Sequence, residues 1–355
     1  MKPFSNFTRG IALSTLVSLA ATSGFAPARA ATLGGPLTLE DEGAFFVNGK
    51  TVTSNYPGAS LITGPSAPGH ITVNQMYVHY RIPASKQGVP VVMVHGANHT
   101  GMTYETTPDG REGWATYFVR KGSSVYVVDH SGRGRSGFDP TPFNQVRDQA
   151  GANPASLPTL LLATHERAWL NFRLGASYPV PFPGLQFPLE AMEQYTMQLV
   201  PNAETSLAGV GANTVDALAA LLDRIGPSVV IVHSQSGVYG LNLVRKRPNL
   251  VRALVTVEGG CDGFSDKDAA SAFAKVPVLS LWGDNSVGAK QTVNGDARRN
   301  GCLAAVNAIK AAGGRATLTL LPEAGIKGNS HMMMMDKNNL QVADVILKWL
   351  GENAK

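Results

Sequence analysis

Six short apolar runs, each closed by polar or small residues, constrain this 355-residue chain more than any other feature. They occupy residues 89–94 before His95-Gly96, 124–128 before Asp129, 229–232 before His233-Ser234, 251–257 before Glu258-Gly259-Gly260, 276–282 before Gly283-Asp284, and 316–321 before Pro322. Such runs suit parallel strands covered on both faces. Helical patterns lie between them. Asn213 is placed to cap a helix with Val215, Leu218, Leu222 and Ile225 on one face, stopped by Gly226-Pro227. Residues 238–247, 302–312 and 340–350 read as three more helices. The alternation predicts a doubly wound, mostly parallel α/β sheet, preceded by partly exposed strands at 71–73 and 76–82.

Composition narrows the function classes. A chain that is 44% hydrophobic and 15% charged is not a disordered segment. Its net charge of +5 includes Lys2, Arg9 and Arg29, and residues 1–30 hold no acid. Without them 27 bases face 25 acids, and no Lys/Arg run tracks a phosphate backbone, which argues against nucleic-acid binding. Residues 1–30 read as a signal peptide: a basic start, an apolar stretch at 11–21, and Ala28-Arg29-Ala30 as a cleavage site. A mature chain from Ala31 is therefore expected in the periplasm or medium, with no membrane span. Its two cysteines, Cys261 and Cys302, are candidates for a disulfide in an oxidising compartment. No Cys/His spacing fits a metal site, and neither metal nor organic cofactor is expected.

One stretch breaks the strand–helix rhythm. Residues 138–211 carry nine prolines and the aromatics Trp169, Phe172, Tyr178, Phe182, Phe187 and Tyr195, without a strand pattern. Structureless loops of this length are uncommon unless they line a site, so the segment is expected to be a cap inserted into the sheet domain of residues 31–355.

The chemistry concentrates at Val232-His233-Ser234-Gln235-Ser236-Gly237, between a buried strand and a helix. A tight strand-to-helix turn can expose a nucleophilic serine, in the general form G-x-S-x-G. Val232 and Ser236 break the strict form. A G-H-S-x-G-G frame puts the nucleophile at Ser234, whereas the competing Ser236 would have bulky Val238 where a small residue belongs. Serine needs a base and an orienting acid. Only His331 follows Ser234, in a loop after the last strand. Two carboxylates end intervening strands, Glu258 and Asp284. The usual position favours Asp284, glutamate on the earlier strand is a known variant, and the residues alone leave the two level. Backbone N–H groups of Gln235 and Ala97 are candidates for an oxyanion hole. Asp129-x-x-Gly132-x-Gly134-x-Ser136 lacks the context of a dinucleotide loop and reads as a turn.

These motifs carry a resemblance. Asp109-Gly110-Arg111 with Gly113-Trp114, Ser131 to Ser136, His233 to Gly237, Val257-Glu258, and Gly328-Asn329-Ser330-His331 with its methionines resemble a small group of secreted bacterial esterases of the α/β-hydrolase superfamily, from about residue 35 onward. The resemblance implies a Ser234, His331, Glu258 triad, and it favours Glu258 over Asp284. The His95-Gly96-Ala97-Asn98 loop departs from the cysteine-containing form of that group. The expected reaction is carboxylic ester hydrolysis through an acyl-enzyme, with a small-molecule ester as partner; a homodimer is compatible with it. An amidase or lactonase with the same triad and a non-catalytic binding protein of the same fold are the alternatives. Glu258 is expected to raise the His331 imidazole above its ordinary value near ~6.5.

Overall fold

The computed structural model describes residues 35–54, 69–148, 151–202, 210–286 and 295–354. The leader expected at residues 1–30 lies outside them. Eight strands form one sheet: β1 (Leu39–Ser54), β2 (Gly69–Pro83), β3 (Val91–Val94), β4 (Val125–Val128), β5 (Ser228–His233), β6 (Val251–Val257), β7 (Val278–Trp282) and β8 (Ala316–Leu320). Their order is β1-β2-β4-β3-β5-β6-β7-β8. β2 runs antiparallel to both neighbours, and every other pairing is parallel. The six apolar runs became β3 to β8. Residues 71–73 and 76–82 join into the single strand β2. β1 was not anticipated: its largely exposed outer edge carries Glu40, Asp41 and Glu42 and lacks a sustained apolar run.

Both faces are covered because successive strand residues point opposite ways. Val91 and Met93 join a core with Trp114 and Phe118 of the Trp114–Arg120 helix and Val342 and Ile346 of the Asn339–Asn353 helix. Val92 and Val94 face the Val210–Ile225, Ser236–Lys246 and Gly295–Ala311 helices. The first of these begins upstream of Asn213, so Asn213 lies inside the helix and does not cap it.

Between β4 and the Val210–Ile225 helix the chain makes a long excursion of short helices and turns, with no strand among its described residues. Trp169, Phe172, Leu174, Phe187 and Tyr195 from this excursion enter the same core as Met332 to Met335. The methionine run is fully buried and packs the excursion against the loop that follows β8.

The ends of three central strands are stepped. Ser234 N–H donates to the Val257 carbonyl (3.1 Å), and Glu258 N–H donates to the Leu281 carbonyl (2.9 Å). The residues after β5, β6 and β7 therefore converge on one side of the sheet edge. Cys261, three residues beyond Glu258, is joined to Cys302 of the Gly295–Ala311 helix. The bridge closes a loop of 41 residues. Free-thiol counting on the denatured, unreduced protein should find none, and reduction should lower stability by about 4 kcal/mol by the chain-entropy relation. Two free thiols per chain would contradict the bridge.

Candidate active site

Ser234 sits on the turn between β5 and the Ser236–Lys246 helix with φ +53°, and Glu258 follows β6 with φ +47°. Non-glycine residues in this left-handed region are held there by their surroundings, and such positions cluster at functional sites. Among the described residues six non-glycine positions have positive φ; Asn98, Arg173, Ser234 and Glu258 are four of them, and all four belong to the cluster described here.

The Ser234 hydroxyl donates to Nε2 of His331 at 2.8 Å. Nδ1–H of His331 donates to Oε2 of Glu258 at 2.6 Å, and Gly283 N–H donates to Oε1 at 2.9 Å. Glu258 and His331 are each 1% exposed and Ser234 7%, so the line of hydrogen bonds opens to solvent only at the serine. The sequence left two acids level; the structure brings Glu258 to the imidazole. Asp284 accepts instead from the backbone N–H groups of Gly328 (2.7 Å) and Asn329 (2.9 Å), and so fixes the loop that carries His331. Ser236 is turned inward: its hydroxyl donates to the His95 carbonyl and accepts from Nε2 of His130 (2.8 Å).

Gly96 packs directly against the turn that carries Ser234. A Cβ there would lie 2.9 Å from Cβ of Ser234 and 2.8 Å from Nδ1 of His233, closer than side-chain atoms tolerate. The next residue is Ala97. Neither the Ala97 N–H nor the Gln235 N–H donates to a protein acceptor among the described residues. Asn98 then ties this loop to the excursion: its side-chain amide donates to the carbonyls of Leu161 (2.8 Å) and Val200 (3.0 Å). Arg133 donates to the Gly96 carbonyl at 2.7 Å. Beside it lies a cavity of about 510 Å³ lined by Phe138, Pro140, Phe143, Leu160, Val200 and Pro201.

Several residues of the site escaped the sequence. Asp336, fully buried, accepts from the Ser330 N–H (2.8 Å) and hydroxyl (2.7 Å) and from the Asn329 amide (3.0 Å). Burial pushes its carboxyl up to about 7. Arg173, on the excursion, touches both His331 and Glu258. Four more histidines, His95, His99, His130 and His233, are buried around the turn that carries Ser234. Against the expectation for His331, its imidazole is held well below 6.5: burial is the main cause, followed by the guanidinium of Arg173. The stacked Phe172 ring, 5.9 Å away and 3° from parallel, is part of that burial. Among the described residues no group of three or more His, Cys, Asp or Glu has a metal-binding arrangement.

No family model matches the chain. A fungal protein described as a "Probable secreted lipase" is 30% identical over 318 residues, covering 78% of this chain and 85% of that protein. A solved structure described as a novel bacterial esterase is 43% identical, with a TM-score of 0.84, covering 91% of this chain and 99% of that one.

Five buried histidines make an acid-sensitive site. Burial holds His99 near 4 and keeps His95, His130, His233 and His331 well below 6.5. A base whose folded pKa is depressed contributes stability above its unfolded pKa and loses it as pH falls toward the folded value, at about 1.4 kcal/mol per pH unit for each histidine. Asp336, raised to about 7, acts in the opposite direction over the same range. With unfolded histidine already half protonated at pH 6.5, the net expectation is a loss of roughly 4 kcal/mol between pH 6.5 and 5.5, read by denaturant unfolding at both values. Equal stabilities would mean that these rings are not buried as neutral groups.

Proposed function

The chain belongs to the α/β-hydrolase esterases and lipases, and on that premise we propose that it is an exported serine esterase working through an acyl-enzyme. One observation carries the reading: an unbroken line of hydrogen bonds from the Ser234 hydroxyl, through both nitrogens of His331, to Glu258. In this mechanism Ser234 Oγ attacks the ester carbonyl while its proton passes to Nε2 of His331. Glu258 keeps the other imidazole proton on Nδ1 and faces the imidazolium as it forms. The developing oxyanion is met by the N–H groups of Ala97 and Gln235. Collapse of the tetrahedral adduct releases the alcohol, which takes the proton from Nε2 and leaves the acyl group on Oγ. Water, activated by the same imidazole, then frees the acid.

Residues 138–211 act as the cap in this reading, and the apolar cavity beside Arg133 receives an apolar arm of the ester. Amide and lactone hydrolysis would use the same three residues; the ester reading is supported by the named relatives. Export is supported by the leader-like residues 1–30, the Cys261–Cys302 bridge and the secreted relative.

Ser234→Ala should lower kcat on the order of 10⁴- to 10⁶-fold and abolish labelling by a fluorophosphonate probe. Ser236→Ala should retain labelling, with a loss of stability because the His95 carbonyl and His130 each lose a partner. The reverse ranking would put the nucleophile at Ser236. Glu258→Gln should lower kcat by at least ~10³, and Asp284→Asn by less than ~10-fold, because only the first removes the group that holds the imidazole tautomer. A crippled Asp284 variant beside a nearly normal Glu258 variant would reverse the choice of acid.

Only neutral imidazole can act as base, and the folded environment keeps His331 neutral to lower pH than a free histidine. The ascending limb of kcat/KM against pH should therefore lie below ~6.5, with the plateau already reached at that pH. A limb centred above pH 7, with chemistry limiting, would refute it.

A further inference from the structure

Residues 172 and 173 grip His331 in three ways. The Phe172 carbonyl accepts from the His331 backbone N–H at 2.9 Å, and the Phe172 ring stacks on the imidazole. The Arg173 guanidinium lies with Nη2 2.8 Å from Nδ1 of His331 and in direct contact with Oε2 of Glu258. Arg173 follows the His165–Asn171 helix with φ +55°, where glycine or asparagine would be the unstrained choice. Its side chain is 1% exposed, and its Nε has no hydrogen-bond partner among the described residues. An arginine in a strained backbone position, buried, with one donor left over, is an expensive arrangement for packing alone.

Nδ1 of His331 already carries the hydrogen that it gives to Glu258, so the guanidinium cannot also donate to that nitrogen. Its hydrogen must go to the carboxylate. We propose that Arg173 is a positioning residue that makes the cap part of the catalytic machinery: its guanidinium shares the Glu258 carboxylate with the His331 ring, so the strength of the acid–base pair depends on where the cap holds one cation. The proposal rests on the triad reading given above.

The other groups facing the imidazole do not replace this cation. Glu258 reaches it from the end of β6, His233 from the end of β5 through an Nε2–H bond to the His331 carbonyl (2.9 Å), and Ser234 from the turn. Arg298, on the Gly295–Ala311 helix, donates to the Ser234 carbonyl (3.1 Å). His99, after β3, is buried and neutral. Arg173 alone among them contacts both the ring and its acid. During catalysis the imidazole becomes a cation within 2.8 Å of a guanidinium nitrogen. A nearby like charge disfavours the protonated ring. The same guanidinium pins the carboxylate that must orient the ring. Arg173 thus keeps the base neutral at lower pH while limiting how strongly Glu258 can stabilise the imidazolium.

The test is the pH dependence of kcat/KM toward a soluble p-nitrophenyl ester for the wild type and for Arg173→Met, Arg173→Gln and Arg173→Lys. Removing the charge should move the ascending limb to higher pH by about one unit in the Met and Gln variants. Lysine should return it most of the way. Should Arg173→Met not fold, the Gln and Lys variants carry the comparison. A limb at the wild-type position in the uncharged variants, with activity lowered uniformly at every pH, would mean a merely structural role and overturn the proposal. So would a Lys variant displaced as far as the Gln variant. Glu258→Gln is measured in parallel. If it stays active, the triad reading has failed; if it is crippled and the Arg173 limb does not move, only this inference has.

Discussion

The bond between His331 and Glu258 spans 73 residues of sequence and must form within a few tenths of an ångström. Strand register can set one end, because Glu258 closes a strand held by both neighbours. The other end lies on a loop with no regular structure, and a set of charge-assisted polar contacts fixes that loop. Asp284 holds its entry through two backbone N–H groups. Asp336 closes it into a compact turn through Ser330 and Asn329. Arg111 donates to the carbonyls of Met335 (2.9 Å) and Asp336 (3.0 Å), and Trp114 donates to the Asn339 carbonyl (2.9 Å). Carboxylates and guanidiniums that bind backbone groups, buried as at Asp336 or half-buried as at Asp284 and Arg111, suit this role, because charge-assisted bonds fix a loop more tightly than neutral ones.

The two candidate acids divide this labour. Both stand at ends of neighbouring strands, and both are within reach of the same loop. Asp284 is spent on the loop backbone, where a short side chain and two oxygens match two consecutive N–H groups. Glu258 has one more methylene, reaches the ring, and still accepts from the Gly283 N–H next to Asp284. One carboxylate thus positions the histidine and the other orients its ring.

Much of this was legible in the sequence, for identifiable reasons. The strands β3 to β7 are largely buried on both faces and β8 is half-buried, so burial wrote itself into predominantly apolar runs. The strand β1 is largely exposed, and its composition carries no comparable sign. Ser234 and His331 stood out because a strand-to-helix turn and a single downstream histidine are local or countable features. The choice of acid was not local, and only the resemblance favoured Glu258. Asp109-Gly110-Arg111 was visible as a motif without a role; its arginine turns out to brace the far side of the histidine loop. Arg173 gave no sign at all, since an arginine in a proline-rich excursion reads as a solvated side chain. The wrong direction expected for His331 has two causes: a carboxylate alone would raise the imidazole, but burial first, and then the guanidinium of Arg173, outweigh it.

The final glycine of the His-Ser-Gln-Ser-Gly run shows how one small residue couples these parts. A Cβ on Gly237 would lie 2.5 Å from the Gly260 carbonyl oxygen and 2.6 Å from its nitrogen, so any larger residue would push the Ser236–Lys246 helix off the chain that follows β6. Gly259 is small for the same reason: a Cβ there would lie 2.9 Å from Cα of Gly237. Two backbones therefore meet where Ser234 and Glu258 must both approach one imidazole. Gly96 performs the matching function on the other side, letting the loop after β3 rest against Ser234. These glycines act as spacers of zero thickness. The cysteine pair reinforces one of these contacts: Cys261 follows Gly260 directly, and its bridge to the Gly295–Ala311 helix anchors the glycine pair from behind. A serine, a histidine and a glutamate can then meet at hydrogen-bond distance because the backbones beneath them carry nothing that would hold them apart.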